Sequence, residues 1–351
     1  MVKIGFVVNP IAGIGAKRAW KGTDDIEKAW NILLEGYPSE AMDIAHRALK
    51  TVNNNLADWV VTNEEFSEFG KLVYRMPIRS KPKHTKEATK KLIEEEVDII
   101  VFVGGDGTAA DVSEIGYPAK VPILGIPAGV KIFSGVFLHR PEDLGSFLQE
   151  WTGEVKLTEI EDLDEEAYRK GIIRPKTVHA AYIPVFERVQ QSKSTFHSSE
   201  SPELFEGIAQ RIEEENLLKG TILVGGGSTL FEIFRAMDLE KSLLGVDVFQ
   251  DGRRVIADAS YEELIEIDAD EIWVTPIGQQ GHLFGRGNRQ IPPKLIHKIG
   301  KRGIRIFATP VKMANTPILY IDTGDPKVDE ELKGYYKVII GYHDSVVRKA
   351  I

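Results

Sequence analysis

One short segment, Gly104-Gly105-Asp106-Gly107-Thr108, constrains this chain most, because it directly follows the strand-like run from Asp98 to Val103. A continuous apolar run of this kind is typical of a strand that is buried on both faces of a parallel sheet. Glycines after such a strand let backbone N–H groups approach phosphate oxygens without a Cβ atom in the way. The segment therefore predicts a phosphate-binding loop at the carboxyl end of a central strand.

The aspartate in this segment is the candidate catalytic residue. Nothing nearby in the sequence obviously needs capping by Asp106, so its carboxylate is placed to accept a proton from a hydroxyl or to hold a metal ion. The structural alternative is a tight turn that contains an incidental aspartate. No set of metal-ligating residues is assigned.

Two further predicted strands end in loops of the same kind. Lys3 to Val8 leads into the loop Asn9 to Gly15, and Pro122 to Ile126 leads into Pro127-Ala128-Gly129. Strands that alternate with helices predict βαβ units and an α/β fold with a doubly wound sheet, where ligands bind at the carboxyl ends of the strands. The candidate nucleotide-binding residues at this edge are Asn9, Gly13, Gly104, Gly105, Gly107, Thr108 and Gly129.

The second half of the chain repeats the pattern of a strand followed by glycines. The predicted strand Thr221 to Val224 leads into Gly225 to Thr229 and then into a predicted helix, an arrangement that suits a phosphate group. The long polar segment Gly281 to Asn288 is also rich in glycine, and long glycine loops are commonly functional. The candidates here are Gly227, Ser228, Thr229, Arg286 and Asn288, and a bare packing turn is the alternative for each segment.

Length predicts two domains, with three as the alternative, because the chain has 351 residues and a domain typically has roughly 150. We place them at 1–150 and 151–351, with the alternative that the last predicted strand, Tyr336 to Ile340, returns to the first domain. The pattern from Asp24 to about Tyr74 is interpreted as helical, and so is the acidic stretch Glu159 to Lys170. Both halves are expected to mix helices and strands.

Composition excludes several classes of function. A net charge of −9 argues against a partner that is a nucleic acid or an anionic membrane, since both require a positive field. The absence of cysteine excludes disulfides, thiolate metal sites and thiol nucleophiles. No apolar run approaches the roughly 18 residues of a membrane span, and the first residues lack the layout of a signal peptide. We expect a cytoplasmic protein that acts on a small molecule, and homo-oligomer formation is left open.

The motifs NPIAGIG, KGTD, GGDGTAAD, GIPAGVK, LLGVDV, TPIGQQG and FGRGN together carry a resemblance to a known family. The chain resembles the superfamily of NAD kinases, diacylglycerol kinases and sphingosine kinases, and within it the prokaryotic ATP-NAD kinase branch that includes AcoX-like proteins. The resemblance runs from Val2 to Tyr342. GGDGT is specific to the superfamily, and the later motifs are specific to this branch.

This resemblance implies a Rossmann-like N-terminal domain, a second mixed α/β domain, and a cleft between them for ATP and the acceptor. It implies that Asp106 is the base or metal-linked carboxylate, and that Asn9 and the loop Gly104 to Thr108 surround the phosphates. The segment Gly227 to Thr229 is similar to the Gly-Ser-Thr of the NAD kinase nucleotide site. Mg²⁺ is expected to bridge the phosphates of ATP.

The function expected from these residues is ATP-dependent phosphorylation of a hydroxyl on a small molecule, most readily of NAD to NADP. A second set of anion-suited elements favours NAD, because a pyrophosphate needs such elements and a neutral polyol does not. The chain lacks an evident Asn-Glu pair after the GGDGT region, and Leu230-Phe231 follows the Gly-Ser-Thr.

Three alternatives therefore stay open: a kinase of a polyol, a kinase of a lipid, and a non-catalytic nucleotide-binding accessory protein. Polyphosphate in place of ATP is also left open. Lys131 and Arg286 are the two candidates for neutralising charge in the transition state.

Overall fold

The first half of the chain builds a parallel sheet from short apolar strands. The computed structural model describes residues 1–18, 26–53, 56–129, 132–163, 175–190, 201–277, 280–285 and 287–351. The strands of the first sheet are β1 (Val2–Val8), β2 (Ala57–Val61), β3 (Lys71–Leu72), β4 (Ile99–Gly104) and β5 (Ile123–Pro127), in the order β3-β2-β1-β4-β5. All four neighbouring pairs are parallel.

Helices cover both faces of this sheet. The helices of this part of the chain are α1 (Ile26–Leu34), α2 (Glu40–Leu49), α3 (Pro82–Glu94), α4 (Asp106–Gly116) and α5 (Asp143–Glu150), of which α2 to α5 form the two layers. On one face α2 and α5 pack against alternate strand residues such as Phe6 and Val101. On the other face α3 and α4 pack against the intervening residues, such as Val7 and Ile100. The predicted doubly wound α/β fold is thus confirmed, and it arises because strands that are apolar at successive positions can bury both faces.

An antiparallel hairpin of β6 (Val155–Leu163) and β7 (Pro175–Pro184) packs on α4 and on the end of the sheet. The prediction of a helix over Glu159 to Lys170 is wrong for the residues up to Leu163, and residues 164–174 lie outside the described part. β-Branched residues Val155 and Ile160 favour a strand, and the acidic composition concealed this pattern.

The helical interpretation of the chain from Asp24 to Tyr74 is wrong over β2 and β3. Trp59, Val60 and Val61 are all almost completely buried in β2, where neighbouring strands and the helices on both faces surround them. A continuous bulky and β-branched run suits a strand with two strand neighbours, a context that local periodicity does not reveal.

The second sheet has eight strands in the order β10-β9-β8-β11-β12-β14-β15-β13. These are β8 (Thr221–Val224), β9 (Asp247–Gln250), β10 (Arg253–Ile256), β11 (Glu271–Val274), β12 (Ile304–Phe307), β13 (Ile318–Leu319), β14 (Gly334–Ile339) and β15 (Ser345–Ala350). The neighbours β8, β11, β12 and β14 run parallel, so their carboxyl ends share one edge. The predicted last strand, β14, pairs with β12 and β15 and lies in this second sheet.

Helices also pack on both faces of the second sheet. They are α6 (Pro202–Glu214), α7 (Ser228–Ala236), α8 (Tyr261–Ile265), α9 (Pro293–Ile299), α10 (Pro310–Ala314) and α11 (Pro326–Leu332). The helices α6 and α7 pack against Val224 and Trp273 on one face. The helices α8 to α11 pack against Leu223 and Ile272 on the other.

The chain forms two units, one of Met1–Gly15 with Gly22–Lys193 and one of Ala16–Lys21 with Ser194–Ile351. The functional domain boundary after residue 150 stays a prediction. Each helix within the described part of the chain is too short or too polar to cross a bilayer.

Candidate functional site

Three loops meet at the carboxyl edge of the first sheet. The loops follow the neighbouring strands β1, β4 and β5, as the sequence predicted. Backbone bonds join the loops, since Asn9 N donates to Val103 O at 3.1 Å and Ala128 N donates to Gly104 O at 2.9 Å. The structure therefore places Asn9, Gly104 and Gly129 at one edge of one sheet.

The Asn9 side chain connects separate segments at this edge. Its Nδ2 donates to Thr108 Oγ1 at 3.0 Å, and its Oδ1 accepts from Ser80 Oγ at 3.1 Å. Asn9 thus joins the loop after β1 to the first turn of α4 and to the segment before α3. These bonds give Asn9 and Thr108 a structural role. Their predicted contact with phosphate would have to form alongside these bonds.

The glycines at this edge serve different purposes. A Cβ atom on Gly104 would lie 2.4 Å from Thr108 Oγ1, so a side chain there has no room. A Cβ on the exposed Gly107 would meet no atom within 4 Å, so packing within the chain does not require glycine there. Gly13 and Gly129 have φ angles of +82° and +118°, which glycine adopts at low cost. Space for a ligand group is therefore found beside Gly107 at the start of α4.

Asp106 has structural partners that the sequence analysis missed. Its side chain is only 1% exposed, and its oxygens accept from Phe133 N at 2.6 Å and Ser134 N at 2.9 Å. The neighbouring sequence could not reveal these partners, because they lie 27 and 28 positions further along the chain.

The loop that Asp106 holds is anchored a second time. Ser134 Oγ donates to Glu161 O at 2.9 Å, and Glu161 N donates back to Ser134 Oγ at 3.0 Å. Asp106 therefore connects the start of α4, through this loop, to the hairpin strand β6.

A second glycine loop leaves β8 at the carboxyl edge of the second sheet. Gly225 N donates to Trp273 O at 2.8 Å, and Gly227 N donates to Leu243 O at 2.8 Å. Gly227 has a φ of +133°, and a Cβ there would lie 2.5 Å from Thr275 Cγ2. Helix α7 begins at the exposed Ser228, while Thr229 is buried. The loop is thus held tightly between its neighbours, with the start of α7 presented at the edge.

Lys312 joins this loop to two other strands, and the sequence analysis did not single it out. Its Nζ donates to Thr229 Oγ1 at 2.7 Å and to Thr275 Oγ1 at 3.0 Å. A signal was present, because the apolar run Ile304 to Ala308, which is typical of a strand, ends just before Lys312. Without the order of the strands, however, this segment could not be placed beside the glycine loop.

The buried Lys241 stabilises the turn that bonds to the glycine loop after β8. Lys241 is 6% exposed, and its Nζ donates to Ser242 O at 2.7 Å and to Gly245 O at 2.9 Å. Burial lowers the pKa of Lys241 to about 8, although the nearby carboxylate of Asp247 opposes that shift. These bonds hold the turn that contains Leu243, whose carbonyl oxygen accepts a hydrogen bond from Gly227 N.

The described residues of the segment Gly281 to Asn288 bond both to each other and to neighbouring segments, since Leu283 N donates to Tyr320 O at 2.9 Å. Asn288 is buried, its Nδ2 donates to Leu283 O at 2.7 Å, and its Oδ1 accepts from Gly285 N at 3.1 Å. Asn288 thus closes its own loop, and its contact with a ligand stays a prediction. Arg286 and Lys131 lie outside the described residues.

A preformed metal cage is absent from the described part of the chain, where no group of three His, Cys, Asp or Glu side chains could hold an ion. Mg²⁺ commonly binds through one or two carboxylates and substrate phosphates, and it keeps several waters. The residues around Asp106 are therefore compatible with a magnesium ion that arrives with the phosphates.

The chain matches two models of one protein family. The ATP-NAD kinase N-terminal domain matches residues 4–153, and the ATP-NAD kinase C-terminal domain matches residues 219–349. No curated protein matches the chain.

Similarity to solved structures is weak. A diacylglycerol kinase from Bacillus anthracis str. Sterne is 16% identical, with 46% of this chain and 46% of that chain covered and a TM-score of 0.24. A solute-binding protein of an ABC transporter from R. palustris, in complex with 4-hydroxybenzoate, is 10% identical, with 89% and 62% covered and a TM-score of 0.27. The chain spans less than two thirds of either protein, and neither similarity carries an argument. The two family models together match more than half of the residues, and the chain belongs to the ATP-NAD kinase family.

Proposed function

We propose that this protein transfers the terminal phosphoryl group of ATP to a hydroxyl of a small molecule, with NAD as the leading acceptor. The observation that carries the proposal is the meeting of three glycine loops at one sheet edge, with Asp106 in the first turn of α4. Membership of the ATP-NAD kinase family supports the same reaction class.

The residues of the first sheet edge have distinct roles in this proposal. Backbone N–H groups at the start of α4 bind phosphate oxygens in the open space beside Gly107. Asp106 orients the acceptor hydroxyl and accepts its proton while the hydroxyl oxygen bonds to phosphorus and the bond to the ADP oxygen breaks. Mg²⁺, if bound together with the phosphates, would supply neutralisation of their charge.

The two backbone N–H groups that donate to Asp106 support its proposed role as the base. A carboxylate that is fixed by two backbone N–H groups is preorganised, so little reorientation is needed when the acceptor arrives. The glycine loops of the second sheet are proposed to serve the same reaction by binding phosphates of the nucleotides. The transition-state roles of Lys131 and Arg286 remain part of this proposal.

One observation favours a second candidate, a nucleotide-binding accessory protein without catalysis. The bonds from Phe133 and Ser134 give Asp106 a purpose in folding, so its presence alone no longer argues for chemistry. Such a protein would use the same phosphate loops but would release no ADP.

The test is an acceptor screen with Mg²⁺-ATP that follows ADP release from the purified full chain. NAD, a sugar alcohol and a dispersed diacylglycerol represent the three acceptor classes, and polyphosphate replaces ATP in a parallel series. ADP release that depends on NAD would support the proposal. Tight ATP binding without ADP release for any acceptor would favour the accessory protein instead.

A further inference from the structure

Three neighbouring parallel strands each contribute one side chain to a cluster at the carboxyl edge of the second sheet. Thr229 follows β8, Thr275 follows β11, and Lys312 follows β12. The three side chains meet at Lys312 Nζ, which lies 2.7 Å and 3.0 Å from the two hydroxyl oxygens. Ligands of open α/β sheets bind outside this edge.

The bonding pattern leaves hydrogen-bond donors in the cluster. A threonine hydroxyl that accepts from an ammonium group uses an oxygen lone pair, so it retains its own O–H for donation. Thr229 and Thr275 both accept from Lys312, and both are therefore donors toward a further acceptor. Phosphate oxygens are acceptors of this kind.

Electrostatics favours an anion at the same place. The nine-residue helix α7 begins at Ser228 and has no acidic residue in its first turn, and its N-terminus carries partial positive charge. Lys312 Nζ touches the second residue of that helix. An anion bound beside both of these positive features would be stabilised by both.

We propose that Lys312, together with Thr229 and Thr275, binds a phosphate group of a substrate nucleotide. The inference rests on the proposed function for the identity of the ligand and assigns a residue that lies outside the predicted site. Lysine is suited to this role, because its ammonium group acts as a compact point charge toward phosphate.

The test compares Lys312→Met with Lys298→Met in the full chain. Lys312→Met keeps most of the length of the side chain and removes its charge. Lys298→Met removes the exposed charge of a lysine on α9 that pairs with Asp268. Binding of inorganic pyrophosphate, ATP and NAD is measured by titration calorimetry, and Tm is measured without ligand. Loss of a charge-assisted bond predicts binding about ten- to a hundredfold weaker in Lys312→Met for pyrophosphate and for at least one nucleotide. Lys298→Met is expected to bind like the wild type.

Two results would overturn the inference. One is unchanged affinity for all three ligands in Lys312→Met. The other is a fall in Tm alone, which would make Lys312 only a structural connector. If Lys312→Met does not fold, Thr275→Val removes one donor with little change of shape and should weaken pyrophosphate binding severalfold; unchanged binding there would count equally against the site.

The outcome is separable from that of the kinase proposal. Weaker pyrophosphate binding in Lys312→Met, combined with no ADP release for any acceptor, would support the phosphate site and reject the kinase. Unchanged binding in a variant that still makes NADP would reject the phosphate site and leave the kinase proposal standing.

Discussion

Asp106 accepts hydrogen bonds from the backbone, and it is also proposed to accept the proton of the substrate hydroxyl. Mutagenesis can separate these two roles. An Asp106→Asn amide would turn an N–H₂ group toward one of the two backbone donors, so the loop at Phe133 and Ser134 should loosen. A Ser134→Ala variant loosens the same loop by removing both bonds to Glu161 and leaves the carboxylate in place. Comparison of the two isolates the chemistry of Asp106.

We expect Asp106→Asn to lower kcat at least about a hundredfold, because a positioned acid–base group contributes roughly that much or more. Ser134→Ala should lower kcat less than about tenfold. Nucleotide affinity should change much less than kcat in Asp106→Asn. Equal losses of kcat in both variants would show that Asp106 acts only by holding the loop.

Gly104 and Gly107 lie in the same motif and should respond differently to alanine. Gly104→Ala places a Cβ 2.4 Å from Thr108 Oγ1, and overpacking of this kind typically costs about 1–3 kcal/mol of stability. Gly107→Ala meets open space inside a helix, so stability should stay unchanged or rise by up to about 1 kcal/mol. Chemical denaturation measures both.

The same pair tests where phosphate binds. ATP affinity should fall several-fold in Gly107→Ala, because the new methyl group occupies space proposed for the phosphate. Gly107→Ala with normal stability and normal ATP affinity would exclude this side of α4 as the phosphate site.

At the scale of elements, the turn between α7 and β9 shows how burial tunes a supporting residue. Folded Lys241 loses its proton at about pH 8, whereas the unfolded value is 10.5. Between these values the unfolded chain binds more protons, so the contribution of Lys241 to stability rises with pH across that window. The charged groups closest to its ammonium are Asp247, Asp258 and Arg254, and the first two partly offset the effect of burial.

The rise of stability with pH can be measured as a difference between the wild type and Lys241→Met. From pH 7 to pH 10, the free energy of unfolding of the wild type should gain about 2–3 kcal/mol relative to that of Lys241→Met. Urea denaturation at several pH values tests this, and the difference between the proteins cancels the titration of other groups. A constant difference across the window would mean that Lys241 keeps an ordinary pKa in the fold.

Many of the helices and strands could be predicted from short stretches of sequence, and the errors have a physical cause. Strands β1, β4 and β8 were predicted because each is a short apolar run followed directly by turn or glycine residues. Strands β2 and β6 were missed because their neighbours in space decide their structure. The site shows the same division: Gly104 to Thr108 is visible as a motif, but Lys312 and the donors to Asp106 come from distant segments.

At the scale of the whole molecule, both sheets follow one plan, with parallel strands that release glycine loops at their carboxyl edges. The first edge supplies Asp106 and the open space beside Gly107, and the second supplies Thr229 and Lys312. If both edges serve one reaction, variants at each should affect the same turnover. Gly107→Ala and Lys312→Met should then each raise KM for ATP or NAD, and kinetics that depend on one edge alone would argue for two separate functions.

The central claim is that this chain phosphorylates NAD, and the most direct measurement is NADP formation from NAD and Mg²⁺-ATP by the purified full chain. We predict that NADP and ADP form in equal amounts, and that Asp106→Asn reduces both at least about a hundredfold. A protein that binds ATP but forms no NADP, while it phosphorylates a sugar alcohol or no acceptor at all, would contradict the claim.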